Sequence, residues 1–180
     1  MNLISQDNSL FLIIDVQEKL VNMLSDLSVK DSSIKLAKAA NILQMPMIIS
    51  EQYPKGLGTT IAEIKDVCRE ADYLEKTSFS IFNQENFVKL LKFKNKKQII
   101  LFGIESHICV LQTAFDLKNN GYEVFVVKEA CGSRSAENKE LALNRMCQNG
   151  IQIVSLEMVL FELLKSAKHE KFKEVQALIK

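Results

Sequence analysis

The chain has 180 residues, 47% of them hydrophobic, with 23 Lys and Arg against 22 Asp and Glu for a net charge of +1. That length supports one full hydrophobic core and would leave two cramped ones. A charge so near zero argues against recruitment by a polyanion or an anionic surface, so neither a nucleic-acid nor a membrane partner is expected.

Residues 10–14 form a continuous apolar run ending in Asp15, the pattern of a parallel strand buried on both faces. The run is too short for a signal-peptide core or a membrane span, so the expected setting is the cytoplasm. Asp31 is placed to cap a helix over 32–43, and 45–49 reads as a second strand. Residues 51–58, containing Tyr53-Pro54-Lys55-Gly56-Leu57-Gly58, are the longest turn-rich segment and the expected wall of a pocket. A short helix over 60–71 precedes a brief strand over 73–75 that runs into Lys76; a helix over 84–93 and a strand over 98–102 follow. Lysines 92, 94, 96 and 97 read as a solvated helix end. Residues 108–119 make the next helix, stopped at Gly121, then come a strand over 123–127 and a loop over 128–134. Ser135 caps a helix over 136–148, 151–154 is the last strand, and Ser155 caps a helix over 156–166. The single domain, 1–180, closes with a C-terminal helix over 167–180. Its Phe172, Val175, Leu178 and Ile179 share one face and must pack on something, a neighbouring subunit being one choice.

Strands alternating with helices imply a three-layer α/β domain with a mostly parallel sheet, whose functional crevice lies beyond the carboxyl ends of the strands. Asp15, Lys76 and Cys109 each fall just past such an end. Cys109 sits in the first turn of a helix that follows a buried strand and a glycine, where unpaired N–H groups favour a thiolate. Lys76 would lower the thiol pKa further, by about one to two units together with the helix end, while Asp15 would take the thiol proton and return it to a leaving group. Cys68, Cys131 and Cys147 have no such context and read as packing. No CxxC pair occurs and only His107 and His169 are present, which argues against disulfides and excludes a multi-histidine metal centre. A nucleotide-binding module would need a glycine-rich loop after the first strand, and Asp15-Val16-Gln17-Glu18 has no glycine.

Four stretches together resemble the isochorismatase-like cysteine hydrolases: Asp15-Val16-Gln17; Glu75-Lys76-Thr77-Ser78-Phe79; Gly103-Ile104-Glu105-Ser106-His107-Ile108-Cys109-Val110; and Ser133-Arg134-Ser135 ahead of Glu140-Leu141-Ala142-Leu143. The resemblance runs from about residue 10 to about residue 164. It implies a six-stranded mostly parallel sheet with helices on both faces, and a catalytic Asp15, Lys76 and Cys109. It further implies a cis peptide between Ile104 and Glu105 that turns the Glu105 N–H toward substrate, to join the Cys109 N–H as an oxyanion hole. Nicotinamidase-type members carry an Asp-x-His metal site after the second strand, whereas residues 50–58 here contain no histidine, so no metal and no cofactor is expected. Isochorismatases proper tend to lack the nucleophilic cysteine, and its retention points away from isochorismate. The chain is most similar to the small, metal-free, single-domain branch, whose members are commonly homo-oligomers.

The expected activity is hydrolysis of a small-molecule amide or related C–N bond through a Cys109 acyl-enzyme. Gln17, Gln52, Tyr53, Phe79 and His107 are the candidate substrate-binding residues, and Arg134 would hold a substrate carboxylate or an interface ion pair. The rival readings are a non-catalytic oligomeric scaffold on the same fold and vinyl ether hydrolysis of the isochorismatase type.

Overall fold

The protein is described here by a computed structural model covering residues 3–180. The apolar run at the start becomes β1 (Ser9–Ile14), in which every residue is buried. Hydrophobicity without alternation is what a strand with neighbours on both edges and helices on both faces requires. After α1 (Glu18–Asn22) and α2 (Ser28–Ile42), β2 (Met47–Gln52) pairs in parallel with β1, setting Ile14 opposite Ser50. The chain continues outward through α3 (Pro54–Leu57) and α4 (Ala62–Val67) to β3 (Asp72–Lys76) on the far side of β2. It then returns through α5 (Glu85–Lys94) to β4 (Gln98–Ile104), which lies against the other edge of β1. The π-helical turn Ser106–Val110 leads into α6 (Leu111–Asn119), and β5 (Glu123–Gly132), α7 (Ala136–Gln148) and β6 (Gln152–Val154) complete the second half.

The resulting sheet has six parallel strands in the order β3-β2-β1-β4-β5-β6. Two winds run in opposite directions from the β1–β4 pair, so the strand order reverses there, and a crevice opens beyond their carboxyl ends. On one side α2 packs against β5, α4 and α8 (Leu156–Leu164), and α6 packs with α7 in the other helical layer.

Several elements differ from the sequence expectation for identifiable reasons. Helix α2 begins at Ser28, with Asp31 in its first turn rather than at its cap; a carboxylate there still complements the positive end of the helix. Strand β5 does not stop at residue 127 but runs to Gly132, burying Ala130 and Cys131. Polar Lys128 and Glu129 interrupt the apolar pattern and hide the continuation. A register shift between Leu101 and Gly103 then brings Cys131 opposite Gly103 and Gly132 opposite Ile104. The C-terminal segment is not one long helix: α9 spans Phe172–Gln176 alone. It packs within the chain, against α2, with Val175 fully buried and the Phe172 ring 6.4 Å from that of Phe161. Phe172, Leu178 and Ile179 on the same face are partly buried against the core. Ser135 and Ser155 cap α7 and α8 as their sequence context predicts, accepting from Asn138 N at 3.3 Å and Met158 N at 3.1 Å. Among the described residues no helix is long and apolar enough to cross a membrane.

Candidate active site

The floor of the crevice is set by the close approach of β1 and β4. Gly103, at φ +136°, lies so near β1 that a Cβ there would stand 1.9 Å from the Ile14 carbonyl oxygen. Only glycine fits. One residue on, β1 ends at Asp15, which turns out of the strand with a left-handed φ of 51°. Asp15 donates its N–H to the Ser50 carbonyl at 3.1 Å and accepts from the Gln17 N–H at 2.8 Å. An aspartate tolerates this conformation better than most residues do, because its short polar side chain bonds locally.

The Asp15 side chain is fully buried and bonded through both oxygens. Oδ2 accepts from Lys76 Nζ at 2.6 Å and Oδ1 accepts from Ser50 Oγ at 2.6 Å. Lys76, the last residue of β3, has no exposed side-chain surface, and its ammonium makes a second bond to Gln52 Oε1 at 2.6 Å. A buried ion pair persists when its geometry is close and the remaining polar atoms are bonded; both conditions hold. Ser50 was not among the expected site residues. A polar residue ending the apolar run Met47-Ile48-Ile49, on a strand adjacent to that of Asp15, is the signal that points to it.

Cys109 comes from the π-helical turn, in which the Glu105 carbonyl accepts from both Ile108 N–H at 3.1 Å and Val110 N–H at 3.2 Å. Its thiol lies near enough to the Asp15 carboxylate and the Lys76 ammonium to feel both charges. Three side chains from β1, β3 and the turn after β4 thus meet at one place. The expectation of a lowered thiol pKa is not met. Burial, first, and the Asp15 carboxylate, second, push the thiol up to about 12, and the opposing pull of Lys76 does not offset them. Cys109 is only 6% exposed, and a thiolate loses more solvation there than one cation, already shared with Asp15 and Gln52, returns. At rest Cys109 is therefore a thiol.

The remaining candidates divide. Gln17 is fully buried and faces the protein: its amide brackets the Gln52 peptide, accepting from Gln52 N at 2.7 Å and donating to Gln52 O at 3.0 Å. Gln52 faces Lys76. Neither is free to line an open pocket as expected, because their amide groups are engaged internally. Tyr53 is exposed and borders a cavity of about 280 Å³ with Lys55, Glu75, Lys76 and Thr77, whose lining does not include Cys109. Phe79 is likewise exposed. His107 Nδ1 lies 3.0 Å from Ser133 Oγ. Arg134 donates its backbone N–H and its Nε to Glu105 Oε1, each at 3.0 Å. With Ser106 Oγ donating to Gly132 O at 2.9 Å, three successive residues of the turn are tied to three at the end of β5. The Ile104–Glu105 peptide is cis. Among the described residues no group of three or more His, Cys, Asp or Glu side chains is gathered so as to hold a metal ion.

A doubly wound parallel sheet with a buried carboxylate, ammonium and thiol at its point of strand reversal defines the class of protein. Residues 9–158 match the Isochorismatase domain, and the chain belongs to the isochorismatase family. Isochorismatase domain-containing protein 2 of Xenopus laevis is 40% identical over 180 residues, covering 98% of this chain and 85% of the relative. Among solved structures, the MAR1 ribonuclease of Caenorhabditis elegans is similar at 37% identity, covering 99% of this chain and 92% of that one, with a TM-score of 0.93. YcaC is similar at 25% identity and a TM-score of 0.93 in two structures. That from Escherichia coli, described as an octameric hydrolase of unknown specificity, matches over 98% of this chain and 89% of its own. That from Pseudomonas aeruginosa, described with hexane-2,5-diol and covalent acrylamide, matches over 98% and 91%. The family and fold make this an isochorismatase-family hydrolase.

Proposed function

We propose that the protein hydrolyses a small-molecule amide or related C–N bond through a covalent Cys109 acyl-enzyme. The observation that carries this reading is the meeting of the Cys109 thiol with the buried Asp15–Lys76 ion pair. Because the thiol is protonated at rest, its proton passes to the Asp15 carboxylate as sulfur attacks the carbonyl carbon. A C–S bond forms and the carbonyl π electrons move to oxygen, where the Glu105 and Cys109 N–H groups are the proposed donors. Collapse of the adduct breaks the C–N bond, and the acid form of Asp15 gives its proton to the departing nitrogen. Water then attacks the thioester while Asp15 takes one of its protons. The C–S bond breaks, the acid product leaves, and the proton returns from Asp15 to sulfur. The Lys76 ammonium, bonded to Asp15, is placed to offset negative charge as it develops on sulfur.

The covalent acrylamide in one YcaC structure supports the presence of a reactive nucleophile in that relative, since acrylamide is an electrophile at its alkene carbon. An octameric YcaC supports assembly of this chain into a homo-oligomer, and four unpaired cysteines support a reducing, cytoplasmic setting. The test is a panel of small amides and ureido acids offered to wild type and Cys109→Ala, read by ammonia release and by the mass of the acylated protein. Turnover and an acyl adduct in wild type alone are expected; equal turnover in both proteins ends the mechanism. RNA is the control substrate, given the name of the C. elegans relative, and Cys109-dependent cleavage of RNA with none of the amides would replace this reading.

A further inference from the structure

On the reading of Asp15, Lys76 and Cys109 as the reacting groups, we infer that Gln52 is a positioning residue that fixes the Lys76 ammonium between Asp15 and the Cys109 thiol, with Gln17 as its brace. An ammonium has three N–H donors at tetrahedral directions. Here one goes to Asp15 Oδ2 and one to Gln52 Oε1, both at 2.6 Å. With two directions occupied, the orientation of the ammonium is set by geometry, and with it the charge that Lys76 presents to the nearby Cys109 thiol.

Gln52 can act in this way only if it is itself immobile, and the structure shows how. Its side-chain Nε2 donates to the Thr77 carbonyl at 2.9 Å, so one amide bridges the end of the Lys76 side chain to the backbone just beyond it. Its peptide is gripped on both sides by the Gln17 amide, through Gln52 N to Gln17 Oε1 and Gln17 Nε2 to Gln52 O. Gln17 Nε2 also donates to the Gly58 carbonyl, which ties the turn-rich loop after β2 to the same anchor. Gln17 lies two residues beyond Asp15 and is fully buried. The strand end that supplies the carboxylate thus also fixes the residue that aims the cation. A neutral amide suits this position, since it accepts from an ammonium without competing for its charge, as a second carboxylate would.

The test reads the thiol directly and needs no substrate. Iodoacetamide alkylation of Cys109 is followed by peptide mass between about pH 7.5 and 9.5, with the exposed Cys147 in the same sample as the internal standard. In this range the rate is proportional to the thiolate fraction, so a pKa raised by one unit reads as about a tenfold loss. Gln52→Met, which keeps the length and removes the acceptor, is expected to slow Cys109 alkylation by about tenfold or more while leaving Cys147 unchanged. Gln17→Leu, which loosens the brace without touching Lys76, is expected to move the rate the same way by less. Lower thermal midpoints with Cys109 alkylation unmoved, or a faster reaction, in Gln52→Met would overturn the inference; if that variant does not fold, the same outcomes in Gln17→Leu decide it. Failure of the amide-hydrolysis reading would appear in the Cys109→Ala turnover assay instead, and leaves these rates free to stand or fall separately.

Discussion

Asp15 carries two obligations that pull apart under mutation. It occupies a left-handed backbone position at the end of β1 and it neutralises a lysine with no exposed side-chain surface. Removing one member of a buried ion pair leaves an uncompensated charge, which costs about 3–5 kcal/mol. Asp15→Ala and Lys76→Met should each lower the urea-unfolding free energy by about that much. The double variant should cost clearly less than the sum, since the second change removes the charge stranded by the first; strict additivity would show that the pair is not coupled. Asp15→Asn should fold better than Asp15→Ala, because asparagine accepts the left-handed conformation and still offers an oxygen to Lys76 and an N–H to Ser50 Oγ, yet it lacks the basicity to take the thiol proton. At this scale the sequence was informative about which side chains the fold gathers and misleading about the state of the thiol among them. Asp15, Lys76 and Cys109 were legible from their places after strand ends. The direction of the Cys109 shift was not, because it depends on how deeply the thiol is covered, and Ser50 announces itself only weakly, as a polar residue closing the apolar run of a neighbouring strand.

Where the elements meet, the closest fit is Gly103 against Ile14. Ile14 precedes Asp15, so any shift at that contact is transmitted to the carboxylate. Gly103→Ala would drive a methyl group into backbone that cannot move without breaking the β1–β4 pairing, and a loss exceeding about 4 kcal/mol is expected. Differential scanning calorimetry checks it: a midpoint within a few degrees of wild type would mean that the two strands part more easily than their register implies. The boundaries of elements were the less legible part. Strand cores such as residues 10–14 and 98–102 announce themselves by unbroken hydrophobicity. The last third of β5 does not, since Lys128 and Glu129 look like a turn until the register shift with β4 re-pairs Cys131 and Gly132. Likewise the π-helical turn around Cys109 has the same composition as an ordinary first helical turn. Its wider hydrogen bonding from Val110 to Glu105 is fixed by the stitching of Glu105, Ser106 and His107 to residues 132–134, a contact between distant segments.

Over the whole molecule, burial of thiols links stability to alkaline pH. Cys68 is pushed up to about 11 and Cys109 and Cys131 to about 12, from an ordinary 9.0, in each case chiefly by loss of solvent. The unfolded chain releases these protons from about pH 9 while the folded chain still holds them. The stabilisation is therefore complete below pH 9 and is lost as pH rises toward 11 to 12. Urea midpoints should be flat from about pH 7 to 8.5 and fall steeply above about pH 9, and Cys68→Ala should make the fall shallower; an unchanged slope would assign the loss to other groups. The doubly wound plan itself was legible from the alternation of strands and helices, and the family resemblance supplied the strand count. The fate of residues 167–180 was not, because a helical stripe shows that a face must be covered without showing by what; here α9 lies against α2 of the same chain, with Val175 buried.

The order of the strands has a further consequence. Acid and cation come from the first half of the polypeptide, sulfur from the second, and the two are joined edge to edge only along the central seam of β1 with β4. The three groups therefore come within reach only once strands some ninety positions apart in sequence have paired, a non-local contact of the kind that slows folding.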